Sequence, residues 1–433
     1  MNIKIKFFLF ILFLINYFTF ISNYELIVII LLFILLIFGF FYMLINSKLL
    51  FYYIFLITPS LGYLNEYYRF SFSTYGGGIL FGILGIYLII CSLINHLNSF
   101  INKNNFLLIA YFTWSLLISI FNALDIFTSI NSIVRLFTWI TISVLSYDLI
   151  KNEKDIIYFF KILSYSLIIP ILFFLINYIK GNYEYIPYFF GQYAIANAYG
   201  STNQLSIFSF MILSLFSYFY FRSLINDYIF LGILFIVILI LSISLSRTAL
   251  ICAFILLLSW TIILGKRKLI IYLSIVAIVL LLLYGQNLIF RILLGFNLYD
   301  NKNSLVGRID LWYIGLKFVG KDILWGKGTG VEKTEIFRRI TGDQPVHNGL
   351  ISSILETGII GSIILFFYFF SSLFFLIRNI VFINNNHKLF YQVILISEII
   401  FFITFFTENT YYSFHLMLLF IAISTIGRKL KLE

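Results

Sequence analysis

The chain has 433 residues, of which 62% are hydrophobic and 11% are charged, and its mean hydropathy is +1.03. Soluble domains carry about 25% charged residues, so a chain this poor in charge cannot cover a water-facing surface. The composition excludes a soluble globular protein and indicates a polytopic membrane protein. The formal net charge of +11 is interpreted first as a topology signal rather than as a nucleic-acid-binding surface. Cys91 and Cys252 lie inside apolar runs, so no disulfide framework or metal-ligand cluster is predicted.

A membrane-spanning helix needs about 20 mostly apolar residues. Apolar runs of this kind cover residues 5–22, 24–46, 49–66, 78–95, 105–121, 130–148, 156–179, 202–222, 227–244, 247–264, 269–285, 349–377, 389–407 and 411–427. We therefore predict an all-α polytopic membrane protein with about 12–14 transmembrane helices. The first run follows Lys4 and Lys6 and lacks a small-residue cleavage site, which predicts a retained anchor rather than a signal peptide.

Lysine and arginine residues in short loops indicate which loops face the cytoplasm. With the N-terminus inside, the basic residues on the cytoplasmic side are Lys4, Lys6, Lys48, Lys103, Lys151, Lys154, Arg222, Lys266, Arg267, Lys268, Arg378, Lys388, Arg428, Lys429 and Lys431. Only Arg69, Lys180 and Arg247 fall at the outer side of short connections. We therefore predict a multi-pass protein of the cytoplasmic membrane with both termini in the cytoplasm. The loop at residues 287–348 then lies outside.

This outer loop is the only long polar segment of the chain, so water-facing chemistry is expected there. Apolar residues near helical spacing predict an amphipathic helix over residues 308–320, lying at the membrane interface. Three glycines follow in the sequence WGKGTG, at positions 326, 328 and 330, and predict a tight turn. The polar segment 331–344 is expected to close over a bound group.

Two outer arginines are candidates for binding an anion. Arg247 lies in SLSRTAL at the predicted outer end of a span, where the alternative interpretation is snorkelling to the interface. Arg308 opens the predicted amphipathic helix, although the helix dipole favours anions at that end. A helix N-terminus with an arginine beside it suits a phosphate group, and arginine at both positions fits bidentate recognition.

His347 and Asn348 lie at the outer mouth of the span 349–377, and Glu356 follows on the same helix. A lone histidine is more often structural than catalytic, but these polar neighbours favour a functional role. Glu356 is expected to have one too, because charged residues at membrane depth are costly. Glu408 lies at the outer end of another span and could face the same cavity.

Two further polar residues are candidates with structural alternatives. Arg135 lies inside the span 130–148, where it either pairs with a carboxylate across helices or lines the site. Asn203 begins a span on the outer side, where it either caps the helix or contacts substrate.

Taken in order, these motifs resemble the O-antigen ligase and polymerase superfamily. They are Ser246-Arg247-Thr248 on a span, Arg308 in the outer loop, the glycine turn, His347-Asn348 before a span, and Glu356 with Gly358 within it. The resemblance covers residues 200–365. Residues 1–199 then form an N-terminal scaffold of membrane helices, and residues 366–433 form C-terminal membrane helices.

The resemblance implies an integral-membrane glycosyltransferase that moves a glycan from undecaprenyl diphosphate to an acceptor hydroxyl at the outer membrane face. It implies no metal, no cofactor and no nucleotide sugar. Arg247 and Arg308 would hold the diphosphate, and His347 would act as the base, since imidazole titrates near pH 6.5 in model peptides. The remaining candidates, which would bind substrate, are Asn348, Glu356, Asn203, Arg135 and Glu408.

The family divides by acceptor, and the sequence does not separate its branches. We favour a polymerase of surface polysaccharide repeat units over a ligase that transfers to lipid A-core, or an enzyme that glycosylates proteins. The expected partners are the lipid-linked donor, a glycan or lipid acceptor, membrane lipids, a flippase and a chain-length regulator, but no nucleic acid. The alternative from another class is a flippase for such lipids, which predicts internal repeats and broken helices with mid-membrane charges.

Overall fold

The computed structural model describes residues 46–56, 76–168, 183–185, 193–195, 202–244, 247–262, 271, 274, 278, 305–342, 344, 346–382, 385–407, 411 and 413–429. The predicted spans at 5–22 and 24–46, and most of the span at 269–285, lie outside these residues. So do residues 169–179 of the span predicted over 156–179.

The described chain is almost entirely helical. Its helices are α1 Ser47–Leu56, α2 Gly76–Asn95, α3 Phe106–Asn122, α4 Ile126–Leu149, α5 Glu153–Ser166, α6 Thr202–Phe221, α7 Asp227–Ser244, α8 Arg247–Ile262, α9 Leu305–Val319, α10 Glu335–Thr341, α11 Gly349–Phe382, α12 Asn385–Thr407 and α13 Phe414–Lys429. Two short antiparallel strands, β1 Tyr183–Tyr185 and β2 Tyr193–Ile195, form a small ribbon. The prediction of an all-α protein is confirmed.

Among the described residues, four helical segments are long and apolar enough to cross a membrane: Lys103–Asn122, Ile126–Leu149, Gly349–Phe382 and His387–Thr407. Shorter apolar helices accompany them, including Ile207–Phe221. The surface of the helix bundle is apolar as well, since α11 exposes Phe367, Phe374 and Val381 by 62%, 70% and 68%. Such a surface favours lipid over water, and the prediction of a polytopic membrane protein is confirmed.

Helix boundaries agree closely with the apolar runs, and the exceptions have local causes. Helix α7 covers the predicted 227–244, and α8 begins at the predicted Arg247. Helix α4 begins at Ile126, four residues before the predicted 130. The reason is a helix cap, because the Asp125 side chain accepts a hydrogen bond from the Phe127 amide at 3.0 Å.

Two helices organise the bundle. Helix α4 packs against α2, α3 and α13, whereas α12 packs against α6, α8, α11 and α13. Phenylalanine rings fill the space between α12 and α13, where Phe401 stacks on Phe420 with ring centroids 4.2 Å apart. Helix α11 contacts α3, α12 and α13, so it connects both parts of the bundle to the outer loop that precedes it.

Helix α9 is the amphipathic helix predicted for the outer loop, but it begins three residues earlier, at Leu305. Arg308 therefore lies inside the first turn instead of opening the helix. Buried residues recur every fourth position, from Gly307 and Leu311 to Val319, whereas Tyr313 on another face is 66% exposed. This burial pattern gives α9 one face that packs against the protein.

The segment 331–344, predicted to close over a bound group, is a packed part of the outer loop. It contains α10, and its Val331 and Phe337 are fully buried. These two side chains form a small apolar core with Val319, Val346 and Leu355. The described part of the loop therefore packs against the N-terminal part of α11.

The predicted span at 349–377 is not one continuous helix, because the backbone breaks at Gly358, with φ 70° and ψ −174°. Glycine is required there, since an added Cβ would lie 2.2 Å from the Leu324 carbonyl oxygen. A break at membrane depth leaves backbone groups that need protein partners. The loop supplies them: the Ile359 amide donates to the Ile323 carbonyl at 2.9 Å, and the Glu356 carbonyl accepts from the Gly328 amide at 3.0 Å.

The alternation of helices predicts on which side of the membrane each connection lies. We expect a cysteine at Lys333, which is exposed in the outer loop, to react with an impermeant maleimide in intact cells. A cysteine at Lys154, exposed in the first turn of α5, should react only after permeabilisation. Background from Cys91 and Cys252 should be low, because both are buried. Labelling of both positions from outside would contradict the orientation.

Candidate active site at the outer loop

Glu356 lies just before the break in α11 and is completely buried. One carboxylate oxygen, Oε1, accepts a hydrogen bond from the Gly330 amide at 2.6 Å. The other, Oε2, accepts one from the Tyr411 hydroxyl at 2.7 Å. The carboxylate therefore connects the glycine turn of the loop to the C-terminal part of the bundle.

Arg135 of α4 supplies the opposite charge. Its Nη2 lies 3.5 Å from Glu356 Oε2, and the residue is 8% exposed. The guanidinium carbon also lies 5.1 Å from the ring centroid of Tyr411 and 5.9 Å from that of Trp139. A buried charge is tolerated when it has an ion partner and hydrogen-bond donors, and Glu356 has both. We call Glu356, Arg135, Tyr411 and the Gly330 amide the Glu356 cluster.

Tyrosines that sequence reasoning did not select complete this region. The hydroxyls of Tyr111 and Tyr411 lie 2.6 Å apart, and the ring of Trp139 stacks on that of Tyr111. Inside an apolar run, a tyrosine gives no sign of such a contact. Arg135 and Glu356 were predicted to bind substrate, and that role stays a prediction. In the structure they contact each other.

A second set of contacts lies at the outer ends of α9, α11 and α12. Arg308 donates from Nη1 to the Thr407 carbonyl at 2.6 Å, and Trp312 donates from Nε1 to the Val346 carbonyl at 2.9 Å. Residues four apart share a helix face, so Arg308 and Trp312 are neighbours. His347 follows Val346 directly. These five residues, which we call the outer corner, bring Arg308 and His347 into one neighbourhood.

Asn348 has a structural role at this corner. Its side-chain oxygen accepts hydrogen bonds from the amides of Leu350 at 3.0 Å and Ile351 at 3.2 Å, so it caps the N-terminus of α11. Asn348 is 6% exposed, whereas the neighbouring His347 is partly exposed. Of the predicted His-Asn pair, the imidazole is therefore the more accessible group.

Glu332 was missed by sequence reasoning. It follows the glycine turn and is 7% exposed, and its Oε2 accepts a hydrogen bond from the Val346 amide at 3.4 Å. Burial raises the pKa of this carboxyl to about 7, and the charge of Glu356 acts in the same direction. The sequence signal that could have found Glu332 is an acidic residue directly after the apolar Val331. The sequence interpretation treated this segment as uniformly polar.

An apolar cavity of about 330 Å³ lies along α11 on both sides of the break. Its lining residues are Leu350, Ile354, Ile359, Ser362, Ile363, Phe366, Phe367 and Phe370. The cavity is an open groove that begins three residues after His347 and runs along the exposed face of α11, past the exposed side chains of Ile363, Phe367 and Phe370. It places apolar surface next to the polar outer corner.

The remaining candidates lie where side chains are not described. Arg247 is the first residue of α8, and Asn203 is the second residue of α6. Glu408 lies outside the described residues, directly after α12. In the part of the chain that the structure describes, no cluster of three or more His, Cys, Asp or Glu side chains could hold a metal ion.

The buried ion pair can be tested by removing its charges singly and together. Arg135→Met or Glu356→Gln leaves one buried charge without its partner, which should cost about 3–5 kcal/mol of stability. The double variant removes both charges and retains an oxygen for the Gly330 amide, so it should be more stable than either single variant. Thermal unfolding of purified protein measures this. Glu335→Gln, in the exposed pair with Arg339, is the control and should change little. Additive losses in the double variant would contradict the pairing.

Residues 232–366 match the family model described as O-antigen ligase, a family of glycosyltransferase-like enzymes. The matched segment includes Arg247, Arg308, His347, Asn348 and Glu356, whereas Arg135 lies outside it. No match was found among curated proteins. Residues 232–366 of this membrane protein are therefore similar to the O-antigen ligase family, as the sequence motifs predicted.

Proposed function

We propose that this protein polymerises the repeat units of a surface polysaccharide at the outer face of the cytoplasmic membrane. The glycan would leave undecaprenyl diphosphate and join a sugar hydroxyl of an acceptor repeat unit. The observation that carries the proposal is the outer corner, where an arginine and a partly exposed imidazole lie beside an apolar cavity. The family match over the same residues supports it.

In the proposed reaction, the acceptor oxygen forms a bond to the anomeric carbon of the donor glycan. The bond from that carbon to the diphosphate oxygen breaks, and the diphosphate leaves with the electron pair. His347 takes the proton of the acceptor hydroxyl. Arg308 and Arg247 stabilise the negative charge that grows on the leaving diphosphate. Displacement in one step inverts the configuration at the anomeric carbon.

The apolar cavity supports a lipid-linked donor rather than a soluble one. It lies next to the corner that would hold the diphosphate, and its lining is almost wholly aliphatic and aromatic. Because the groove opens on the apolar surface of α11, an isoprenoid chain can enter it from the bilayer without leaving an apolar environment. We infer that the part of the polyprenyl chain nearest the diphosphate lies in this cavity.

The proposal places the outer loop outside the cytoplasmic membrane, with a flippase supplying the donor and a chain-length regulator acting on the product. A ligase, which transfers finished chains to lipid A-core, would use the same groups. Glycan analysis of a deletion strain distinguishes the two. Loss of a polymerase leaves products of a single repeat, whereas loss of a ligase leaves full-length chains on the carrier.

The role of Arg308 predicts that its shape matters as well as its charge. Arg308→Lys replaces a planar donor of paired hydrogen bonds with a point charge. Transfer from a lipid-linked donor should fall roughly 30- to 1,000-fold, as expected when a transition-state contact is lost. Purified variants assayed at equal protein amounts measure this. Arg339→Lys, on the exposed surface of the same loop, is the matched control. Normal turnover by Arg308→Lys would remove this role.

The role of His347 predicts a loss of about 10²- to 10⁴-fold in transfer for His347→Ala, because the general base is gone. Binding of the carrier lipid and protein abundance should remain near wild type. The wild-type rate should fall at acid pH, since a protonated imidazole cannot accept a proton, and measurement across pH 5.5 to 8 reports it. His387→Ala, at the start of α12, serves as control. An active His347→Ala variant with an unchanged pH profile would exclude the base role.

A further inference from the structure

His347 has an unusual backbone conformation. Its φ of 53° lies in the left-handed region, which residues with a side chain rarely adopt. Within the described residues, Ser223 is the other residue of this kind that is not glycine. A strained conformation persists where its surroundings leave the chain no alternative, and such positions cluster at functional sites.

The residue before His347 is held at both of its backbone polar groups. The Val346 amide donates to Oε2 of Glu332 at 3.4 Å, and the Val346 carbonyl accepts from Nε1 of Trp312 at 2.9 Å. Val346 is itself fully buried in the core of the outer loop. Side chains from two separate segments, α9 and the turn after Gly330, therefore fix one peptide unit on each side of Val346.

The residue after His347 is held as well, since Asn348 is buried and caps α11. His347 is thus a left-handed residue between two buried neighbours, and it is the one of the three with a partly exposed side chain. Its flanking peptides fix the direction in which the imidazole leaves the backbone. This arrangement orients the side chain of His347 through its backbone.

We propose that Glu332 and Trp312 are positioning residues that hold His347 in its left-handed conformation and so direct its imidazole toward the acceptor hydroxyl. We call this set of contacts the Val346 clamp. The catalytic part of the proposal rests on the proposed function, whereas the structural part does not depend on it.

The clamp is connected to the membrane bundle through the glycine turn. The Gly330 amide donates to Glu356, and Glu332 follows two residues later. Glu332 also faces Ser352, Glu356 and Arg135, and its pKa is raised to about 7 mainly by burial. A carboxyl oxygen accepts the Val346 amide in either protonation state, so a neutral amide oxygen should replace it.

The test uses histidine NMR, because the chain has only 4 histidines. Full-length protein labelled at the histidine rings is compared with the variants Glu332→Ala, Trp312→Phe and Glu332→Gln, with His347→Gln assigning the signal. Loss of either clamp contact should shift or broaden the His347 resonance, whereas Glu332→Gln should retain it. The His96 resonance is the internal control, since its ring is held by Asp148 at 2.8 Å and Ser47 at 3.0 Å.

Transfer assays on the same samples test the catalytic part. Glu332→Ala and Trp312→Phe should lower kcat by roughly 10- to 100-fold with little change in KM, as expected for a misplaced base. Glu332→Gln should stay near wild type. Matched controls are Glu335→Ala and Trp325→Phe in the same loop, which do not touch Val346.

Each outcome decides one part of the proposal. An unchanged His347 resonance in both clamp variants would overturn the clamp, whatever the activity. A shifted resonance with unchanged kcat would overturn the positioning role. Absence of transfer by wild-type protein would contradict the proposed function alone, because the resonance would still report whether the clamp exists.

Discussion

The buried carboxylate of Glu356 is the contact on which the packing of the described loop against the helix bundle depends. A charge at membrane depth is costly unless it is paired and hydrogen-bonded, and the chain meets this need from three distant segments. Arg135 comes from α4, the Tyr411 hydroxyl from the C-terminal part, and the Gly330 amide from the outer loop. Because these partners are required together, they determine where the loop lies on the bundle.

The break at Gly358 also determines how the loop binds to α11. A continuous helix would satisfy its own backbone groups and would leave no free carbonyls for the amides of the loop. The break exposes the carbonyls of Leu355 and Glu356, which accept from the amides of Lys327 and Gly328. The amides of the loop thus take the place of the helical amides that would bond to these carbonyls in an unbroken helix. A membrane helix and a polar loop become one rigid unit, and Arg308 and His347 are held by that unit.

The sequence predicted local features well and long-range features poorly. Hydrophobic runs predicted the spans because a transmembrane helix is determined by its own residues, as with α7 and α8. The glycine turn was predicted for the same reason, and Gly326, Gly328 and Gly330 all have positive φ. The break at Gly358 was missed, because a single glycine in an apolar run is also compatible with an intact helix. The carbonyls of Ile323 and Leu324, which accept from the Ile359 and Ile360 amides after the break, are distant in the sequence.

The same limit applies to the candidate site. Glu356 could be selected because a charge stands out in an apolar run, and Arg308 and His347 could be selected because they precede or open predicted helices. Glu332 could not be selected from the sequence, because it lies among other polar residues. Only the structure shows that it contacts Val346, which Trp312 contacts as well. Arg135 was selected, but its partner could not be chosen from the sequence. Pairing across helices depends on packing that no local pattern contains.

The net charge of this region depends on its two buried carboxyl groups, Glu356 and Glu332. Glu356 is compensated by Arg135, so this pair adds little net charge to the surroundings. Glu332 is the other case: burial raises its pKa to about 7, so it is partly neutral at physiological pH. Neither group therefore presents a full, uncompensated negative charge to the outer corner. Two buried acidic residues are therefore compatible with the diphosphate site proposed at this corner, because one is paired and burial raises the pKa of the other.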